Sequence, residues 1–239
     1  MRSPLVLSLL LVAGCAEAPA ETAAAPAPAP PPSAPMTSAP VTGDSVVVVF
    51  FGDSLTAGYG LANPGREAYP ALVGDALRAE GVPVQVVNAG SSGETSAGGL
   101  RRVDWVLSRS RPDVFVLALG ANDGLRGQDP GAMRENLRAI LQKVRAAAPE
   151  ARLVVAGMEA LPNYGADYAA RYRAVFPDVA REFDADLVPF LLDGVAGVAA
   201  LNQGDQVHPT AAGQQVLART VAGVVVPVVR DAAEAKAGA

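Results

Sequence analysis

The sequence is poor in the residue types that build most metal sites and all disulfides. Its 239 residues include one histidine, His208, and one cysteine, Cys15. A zinc site made of His and Cys would need an unusual ligand set, and an internal disulfide is impossible. We therefore expect no metal and no other cofactor. The folded part must be stabilised by an ordinary apolar core.

Charge is also sparse, and no stretch of the sequence is strongly basic. Charged residues make up 18% of the chain, and the formal net charge is −5. A scattered, mildly acidic charge distribution argues against nucleic acid as a partner. The hydrophobic share of 50% is enough for a sizeable core.

Residues 1–14 have the pattern of a secretory signal peptide. The apolar stretch 5–13 follows a weakly basic start and is too short to span a bilayer. It ends in Val12-Ala13-Gly14-Cys15, which resembles the lipobox of bacterial lipoproteins, where the chain is cut before a cysteine that carries lipid. An ordinary signal peptide followed by an incidental cysteine is the alternative. We expect an exported lipoprotein, in the periplasm or outer membrane, that is anchored to the membrane through Cys15.

The next segment, residues 15–44, consists mostly of Ala, Pro, Ser and Thr. Such a composition cannot form a core and favours extended conformations of about 3.1 Å per residue, so we interpret it as a lipidated tether. The globular domain is predicted to span residues 45–229. Residues 230–239 are predicted to be a disordered tail. We expect this protein to be a monomer.

The globular part alternates apolar runs of strand length with amphipathic stretches of helix length. The strands are predicted at residues 46–51, 84–87, 114–119, 153–157 and 186–188. The helices are predicted at residues 68–80, 96–110, 130–147, 167–183 and 210–224. Strands joined by helix-length crossovers form a parallel sheet covered on both faces. We therefore predict an α/β fold of three layers, α/β/α, with a flavodoxin-like sheet whose ligand lies at the carboxyl ends of the strands.

A candidate nucleophile, Ser54, follows the first predicted strand in the run Gly52-Asp53-Ser54-Leu55. A serine hydroxyl needs a base to take its proton and a carboxylate to orient that base. If the base is an imidazole, it is His208, and Asp205 three residues earlier is the obvious carboxylate. Alternatively, Ser54 caps a helix and Asp53 only supports the turn.

Two further segments offer hydrogen-bond donors at the same predicted edge of the sheet. Gly93 stands in the loop after the second strand, where its backbone N–H is free to point at an anion. Asn122 stands in Gly120-Ala121-Asn122-Asp123-Gly124 after the third strand, and its side-chain amide is able to bind an oxyanion. Both segments are also ordinary turn formers.

The four motifs, taken in this order, resemble those of the SGNH hydrolases, also called the GDSL esterase and lipase family. The similarity is greatest to the bacterial branch of arylesterases and multifunctional acyl-CoA thioesterase I/lysophospholipase L1 enzymes. The resemblance implies that Ser54 is the nucleophile, that His208 is the base and that Asp205 orients it. It also implies an oxyanion hole made of the Ser54 and Gly93 N–H groups and the Asn122 side chain, and a structural role for Asp53.

The function implied by this resemblance is that of a serine esterase or thioesterase that works through an acyl-enzyme. Its substrates would be small-molecule or lipid esters such as aryl esters, acyl-CoA and lysophospholipids. One alternative within the same fold is a carbohydrate O-deacetylase. Another is a non-catalytic binding lipoprotein that keeps the pocket.

Overall fold

The computed structural model describes residues 45–238, which contain a parallel sheet of five strands with helices packed against it. The strands are β1 (Val46–Gly52), β2 (Val84–Gly90), β3 (Val114–Ala118), β4 (Arg152–Ala156) and β5 (Asp186–Val188). The predicted signal peptide, tether and lipidation site at Cys15 lie outside the described residues.

The order of the strands in the sheet is β2-β1-β3-β4-β5, and all neighbouring pairs are parallel. This is the flavodoxin-like order, so the predicted three-layer α/β fold is confirmed. In the sheet, β2 lies on one side of β1 and β3 lies on the other. The crevice outside the carboxyl ends of β1 and β3 is therefore the expected ligand site.

The central strands form because their sequences are apolar throughout. In β1, Val-Val-Val-Val-Phe-Phe-Gly is buried at every position except Val47, and all five residues of β3 are buried. Parallel strands covered on both faces require such continuous apolar runs, because neither face meets water. The two strands that flank the crevice are thus the most deeply embedded part of the core.

Eight α-helices lie among residues 45–238, and the five long ones match the predicted helices. They are α1 (Ser54–Ala57), α2 (Pro64–Glu67), α3 (Tyr69–Ala79), α4 (Ser96–Arg109), α5 (Ala121–Leu125), α6 (Pro130–Ala147), α7 (Ala166–Glu182) and α8 (Ala211–Ala237). The short helices α1, α2 and α5 were not predicted, because four or five residues show no helical periodicity. No helix in this part of the chain is both long and apolar enough to cross a membrane.

The last helix is longer than the sequence indicated. It continues to Ala237 and does not end at Val224, so the prediction of a disordered tail is wrong for residues 230–237. The apolar face of the helix continues through four buried valines: Val225, Val226, Val228 and Val229. Its last turn is attached by Lys236, whose Nζ donates to Asp113 Oδ2 at 2.8 Å. These tertiary contacts add to the high helix propensity of the Ala, Glu and Lys residues in this segment.

Candidate active site

Ser54 is held at the carboxyl end of β1 as the first residue of α1. Position 52 must be glycine, because a Cβ there would lie 2.1 Å from the hydroxyl oxygen of Thr56. Asp53 caps α1, its Oδ1 accepting the N–H of Leu55 at 3.0 Å. The sharp turn leaves Ser54 largely buried, with 8% of its surface exposed. Its hydroxyl therefore stands at the bottom of the crevice.

The segment before α8 carries Asp205 and His208 in a short loop closed by backbone bonds. Asn202 pairs with Pro209 in an isolated antiparallel bridge, and the N–H of Gln203 donates to the carbonyl oxygen of His208 at 2.7 Å. Gln206 turns the loop with a φ of 60°, a left-handed value that is uncommon outside glycine. The loop thus fixes the direction in which the imidazole projects.

The structure joins the three predicted side chains in one hydrogen-bonded chain. His208 Nε2 lies 2.9 Å from Ser54 Oγ, and His208 Nδ1 lies 2.7 Å from Asp205 Oδ2. The other oxygen of Asp205 accepts the backbone N–H groups of Val207 and His208, both at 3.0 Å. Because an ionised carboxylate only accepts, Nδ1 carries the proton and Nε2 is left to accept the proton of the serine hydroxyl.

Asp205 is arranged to stay ionised. The hydrogen bond from the His208 side chain, together with the backbone N–H bonds of His208 and Val207, lowers the pKa of Asp205 to about 2. A carboxylate that remains charged favours the Nδ1–H tautomer and stabilises the imidazolium that forms when His208 takes a proton. It does so although its side chain is 43% exposed to solvent.

The three predicted donors, Ser54, Gly93 and Asn122, lie in the segments that directly follow β1, β2 and β3. Gly93 adopts a left-handed φ of 76° in an exposed turn. Within residues 45–238, neither its backbone N–H nor that of Ser54 donates to another protein group. Nδ2 of Asn122 donates to the carbonyl oxygen of Glu94 at 3.1 Å, and its second hydrogen makes only a long contact of 3.5 Å with Asp53 Oδ2. The structure thus places all three predicted donors at one edge of the sheet.

Helix α5 fixes the loop that carries Gly93. The carboxylate of Asp123 is buried and accepts both the N–H of Ser96 at 2.8 Å and its hydroxyl at 2.6 Å. Nη2 of Arg126 donates to the carbonyl oxygen of Gly93 at 3.1 Å. Asp123 in α5 and Arg126 directly after it therefore hold the loop on both sides of Glu94, which keeps the Gly93 N–H in a constant position.

A salt bridge between Arg102 and Glu94 supports the same loop. Arg102 of α4 donates through Nε to the Glu94 carboxylate at 2.9 Å and through Nη2 to the carbonyl oxygen of Ala89 at 2.9 Å. Its guanidinium group also lies 4.4 Å from the ring centre of Phe51. Arg102, Arg126 and Asp123 were not predicted as site residues, because no local pattern relates them to partners so far apart in the chain.

Asp53 is a second carboxyl group beside the serine, and its surroundings differ from those of Asp205. It is 1% exposed, and its Oδ2 lies 3.5 Å from Nδ2 of Asn122. Burial raises the pKa of Asp53 to about 7, the hydrogen bond from Leu55 opposes the rise, and the charges of Glu94 and Asp123 add to it. Its cap on α1 agrees with the structural role that the resemblance implied.

Exposed apolar side chains flank the catalytic edge of the sheet. The ring of Tyr59 lies 4.6 Å from the imidazole of His208. The hydroxyl of Tyr164 donates to the carbonyl oxygen of Leu125 at 2.8 Å. Tyr164 ends a short 3₁₀ helix, Pro162–Tyr164, and Leu161 directly precedes that helix. No group of three or more His, Cys, Asp or Glu side chains in the described part of the chain could hold a metal ion.

A serine, an imidazole and a carboxylate in one hydrogen-bonded chain beside backbone and amide donors define a serine hydrolase. The comparison with known families agrees with this class. The chain belongs to the GDSL-like lipase/acylhydrolase family, whose sequence profile matches residues 50–216.

Individual relatives cover most of the chain. Esterase TesA of Pseudomonas aeruginosa is 41% identical over 170 residues, which are 71% of this chain and 83% of the relative. Thioesterase 1/protease 1/lysophospholipase L1 of Escherichia coli K12 is 36% identical over 194 residues, 81% of this chain and 89% of the relative. The crystal structure of AlinE4, an SGNH-hydrolase family esterase, superposes with a TM-score of 0.64 at 41% identity, over 77% of this chain and 96% of that one.

These similarities confirm the family and the branch that the motifs indicated, and the chain is an ester or thioester hydrolase of the TesA type. The alternative of a non-catalytic binding lipoprotein does not agree with this result.

Proposed function

We propose that the protein hydrolyses carboxylic esters and thioesters through a covalent acyl-enzyme on Ser54. The observation that carries the proposal is the continuous hydrogen-bonded chain from Ser54 Oγ through the imidazole of His208 to Asp205, with distances of 2.9 Å and 2.7 Å. These distances lie within the range over which a base accepts a proton directly from its nucleophile.

In the first half of the proposed reaction, Ser54 Oγ attacks the acyl carbonyl carbon while His208 Nε2 takes the hydroxyl proton. The negative charge that develops on the carbonyl oxygen is stabilised by the N–H groups of Ser54 and Gly93 and by Nδ2 of Asn122. The tetrahedral intermediate then collapses, and His208 returns the proton to the departing alcohol or thiol.

In the second half, a water molecule replaces the leaving group and His208 removes its proton. The resulting hydroxide attacks the acyl carbon, the same donors hold the oxyanion, and the bond between the acyl group and Ser54 breaks. His208 then returns its proton to Ser54, and the carboxylic acid is released. Apart from the substrate and one water molecule, every group used in these steps is a residue of this chain.

The substrates we propose are aryl esters, acyl-CoA thioesters and lysophospholipids. Four large hydrophobic side chains that are 37–53% exposed lie in segments after β1, β3 and β4, at the same edge of the sheet as Ser54: Tyr59, Leu125, Leu161 and Tyr164. An acyl chain that covers such side chains removes apolar surface from water and gains about 25 cal/mol for each Å². An acetyl group has little surface to bury, so these residues favour longer acyl chains over the acetylated sugars that an O-deacetylase would use.

A substrate panel tests this assignment. We would measure kcat/KM for aryl esters of increasing acyl length, for acyl-CoA, for lysophospholipid and for an acetylated sugar, with Ser54→Ala as the inactive control. We expect kcat/KM to rise from the acetyl ester to esters of medium length. Leu161→Ala should reduce this rise, whereas Trp105→Ala, at an exposed site on α4, should not. A marked preference for the acetylated sugar would support the deacetylase alternative instead.

We also propose that the protein is exported and anchored to a membrane through a lipid on Cys15. Support comes from the lipobox-like run Val12-Ala13-Gly14-Cys15 and from the Ala/Pro-rich composition that separates it from β1. Cys15→Ala should move the protein from the membrane fraction to the soluble fraction without loss of hydrolysis. Retention of this variant in the membrane fraction would contradict the anchor.

A further inference from the structure

The hydrogen-bond partners of Asn122 allow only one orientation of its side-chain amide. Its Nδ2 faces two acceptors, the carbonyl oxygen of Glu94 at 3.1 Å and Asp53 Oδ2 at 3.5 Å. If the amide were rotated by 180°, its oxygen would face two other oxygens and no donor. The two acceptors together therefore determine which end of the amide points towards the crevice.

The contact with Asp53 is the weaker of the two, and this weakness matters for the reaction. A separation of 3.5 Å is at the upper limit for a hydrogen bond, whereas the bond to Glu94 has an ordinary length. The amide of Asn122 can therefore turn one hydrogen towards an oxyanion without losing a strong bond. Because the carboxyl group of Asp53 is buried, its partial charges still act strongly on the nearby amide dipole.

Burial raises the pKa of Asp53 to about 7, so its carboxyl group ionises as the pH rises through this value. Among residues 45–238, the titratable groups acting on it from neighbouring elements are Glu94, Asp123, Tyr69 and Tyr172, none of which is a cation. Only the ionised carboxyl group is purely an acceptor, because a proton on Oδ2 would add a donor that faces Asn122. The contact that orients the Asn122 amide is therefore strongest when Asp53 is ionised.

We propose that Asp53 is a positioning residue that acts through Asn122: its Oδ2 keeps the Nδ2 end of the Asn122 amide directed at the oxyanion. It contacts neither substrate nor the reacting atoms. The inference depends on the proposed function, because it assigns Asp53 to the oxyanion hole of that same reaction. It goes beyond the cap on α1, which needs only the other carboxyl oxygen of Asp53.

The isosteric variant Asp53→Asn tests this positioning role most directly. Its single oxygen can accept the Leu55 N–H, but then its NH₂ group faces Nδ2 of Asn122, so that two donors meet. The Asn122 amide should rotate away, and kcat should fall by about 10- to 100-fold while KM changes by less than about twofold. Asp53→Ala removes the acceptor without adding a donor, so it should lower kcat less, although it should lower the melting temperature more.

Whether asparagine or alanine at position 53 lowers kcat more distinguishes a positioning role of Asp53 from a purely structural one. If Asp53 only capped α1, alanine would be the more damaging replacement in both activity and stability. Asp129→Asn is the matched control, since Asp129 caps α6 in the same way, with Oδ2 accepting the Ala132 N–H at 3.0 Å. It should leave kcat unchanged.

A double-mutant cycle completes the test. We would measure kcat for Asp53→Asn, Asn122→Ala and the double variant with one aryl ester, after confirming by circular dichroism that each is folded. We expect Asp53→Asn to change kcat by less than about threefold once Asn122 is alanine. An equal loss in both backgrounds, or full activity of Asp53→Asn alone, would overturn the inference. Full activity of Asn122→Ala would instead contradict the oxyanion hole of the proposed function.

Discussion

The turn after β1 and the loop before α8 meet at the hydroxyl group of Ser54, and each brings an aspartate. Asp53 in the turn is buried, accepts one strong backbone bond and has its pKa raised to about 7 by burial. Asp205 in the loop is partly exposed and has its pKa lowered to about 2, above all by the hydrogen bond from His208. The pKa of the same side-chain type is therefore shifted in opposite directions within one site.

The difference follows from what each region has to supply. Asp205 must stabilise a positive charge on His208, so a charged carboxylate that accepts three N–H bonds is useful there. Asp53 lies beside the donors for a negative charge, and in our proposal its ionised carboxyl group is the acceptor that orients Asn122. Burial alone, without a cationic partner, is enough to raise its pKa to about 7. Pairs of groups with opposite shifts of pKa are typical of active sites.

The largest expected effect concerns the proton transfer between the two regions. Ser54→Ala and His208→Ala should each lower kcat by about 10⁵- to 10⁶-fold, and the double variant should be scarcely worse, because residues that act as one unit are not additive. Steady-state kinetics on an activated aryl ester checks this. Additive losses in the double variant would indicate that the two side chains act independently.

The charge of Asp205 should matter next. Asp205→Asn keeps an oxygen of similar position but removes the negative charge that stabilises the imidazolium and sets the tautomer of His208. We expect kcat to fall by about 10²- to 10⁴-fold. The variant should remain folded, which far-ultraviolet circular dichroism would verify. A loss of less than about threefold would mean that the exposed loop only presents the imidazole.

The donors beside Asp53 should contribute a smaller factor. Asn122→Ala should lower kcat by about 10²- to 10³-fold with a smaller change in KM, because the lost hydrogen bond is strongest in the transition state. The comparison of kcat and KM for wild type and variant measures this. A rise in KM with unchanged kcat would place Asn122 in substrate binding.

The last expected effect is on stability and not on the rate, and it depends on the raised pKa of Asp53. The folded protein holds this proton more tightly than the unfolded chain, whose aspartate pKa is near 3.8. The stabilisation is therefore fully present below pH 3.8 and is lost as pH rises through about 7. The side chain of Asp53→Asn cannot ionise. As the pH rises over this range, the free energy of unfolding of this variant should therefore increase relative to that of the wild type by up to about 4 kcal/mol.

Urea denaturation of both proteins at pH 5 and pH 8 would measure this gain. At each pH, the free energy of unfolding of the wild type is subtracted from that of the variant. The titration of all other groups cancels in this difference, so its change with pH reports on Asp53. A difference that is the same at both pH values would show that Asp53 is ionised in the folded protein at pH 5.

Most of the fold could be predicted because its signals are local. Continuous apolar runs gave the buried strands, and periodic apolar positions gave the five long helices. The carboxyl end of α8 could not be predicted in this way, because Pro227 interrupts the pattern and the segment after it depends on distant partners. One of these is Glu80, directly after α3, which pairs with Arg230.

The candidate site was predictable only in part, for a similar reason. Ser54, His208 and Asn122 could be selected because few side chains have their chemistry and because each follows a strand or precedes a helix. The supporting contacts join residues far apart in the chain, such as Asp53 with Asn122 and Ser96 with Asp123. Their types are common in turns, so only the folded arrangement distinguishes them.

The most direct test of the account is covalent labelling of the nucleophile. A fluorophosphonate reacts with a serine only when a neighbouring base activates it and donors hold the phosphoryl oxygen. Intact-mass spectrometry should find one adduct on the wild-type protein, located by peptide mapping at Ser54, and none on Ser54→Ala or His208→Ala over the same time. Labelling at another residue, or unchanged labelling after the only histidine has been removed, would contradict the assignment of Ser54 and His208 as nucleophile and base.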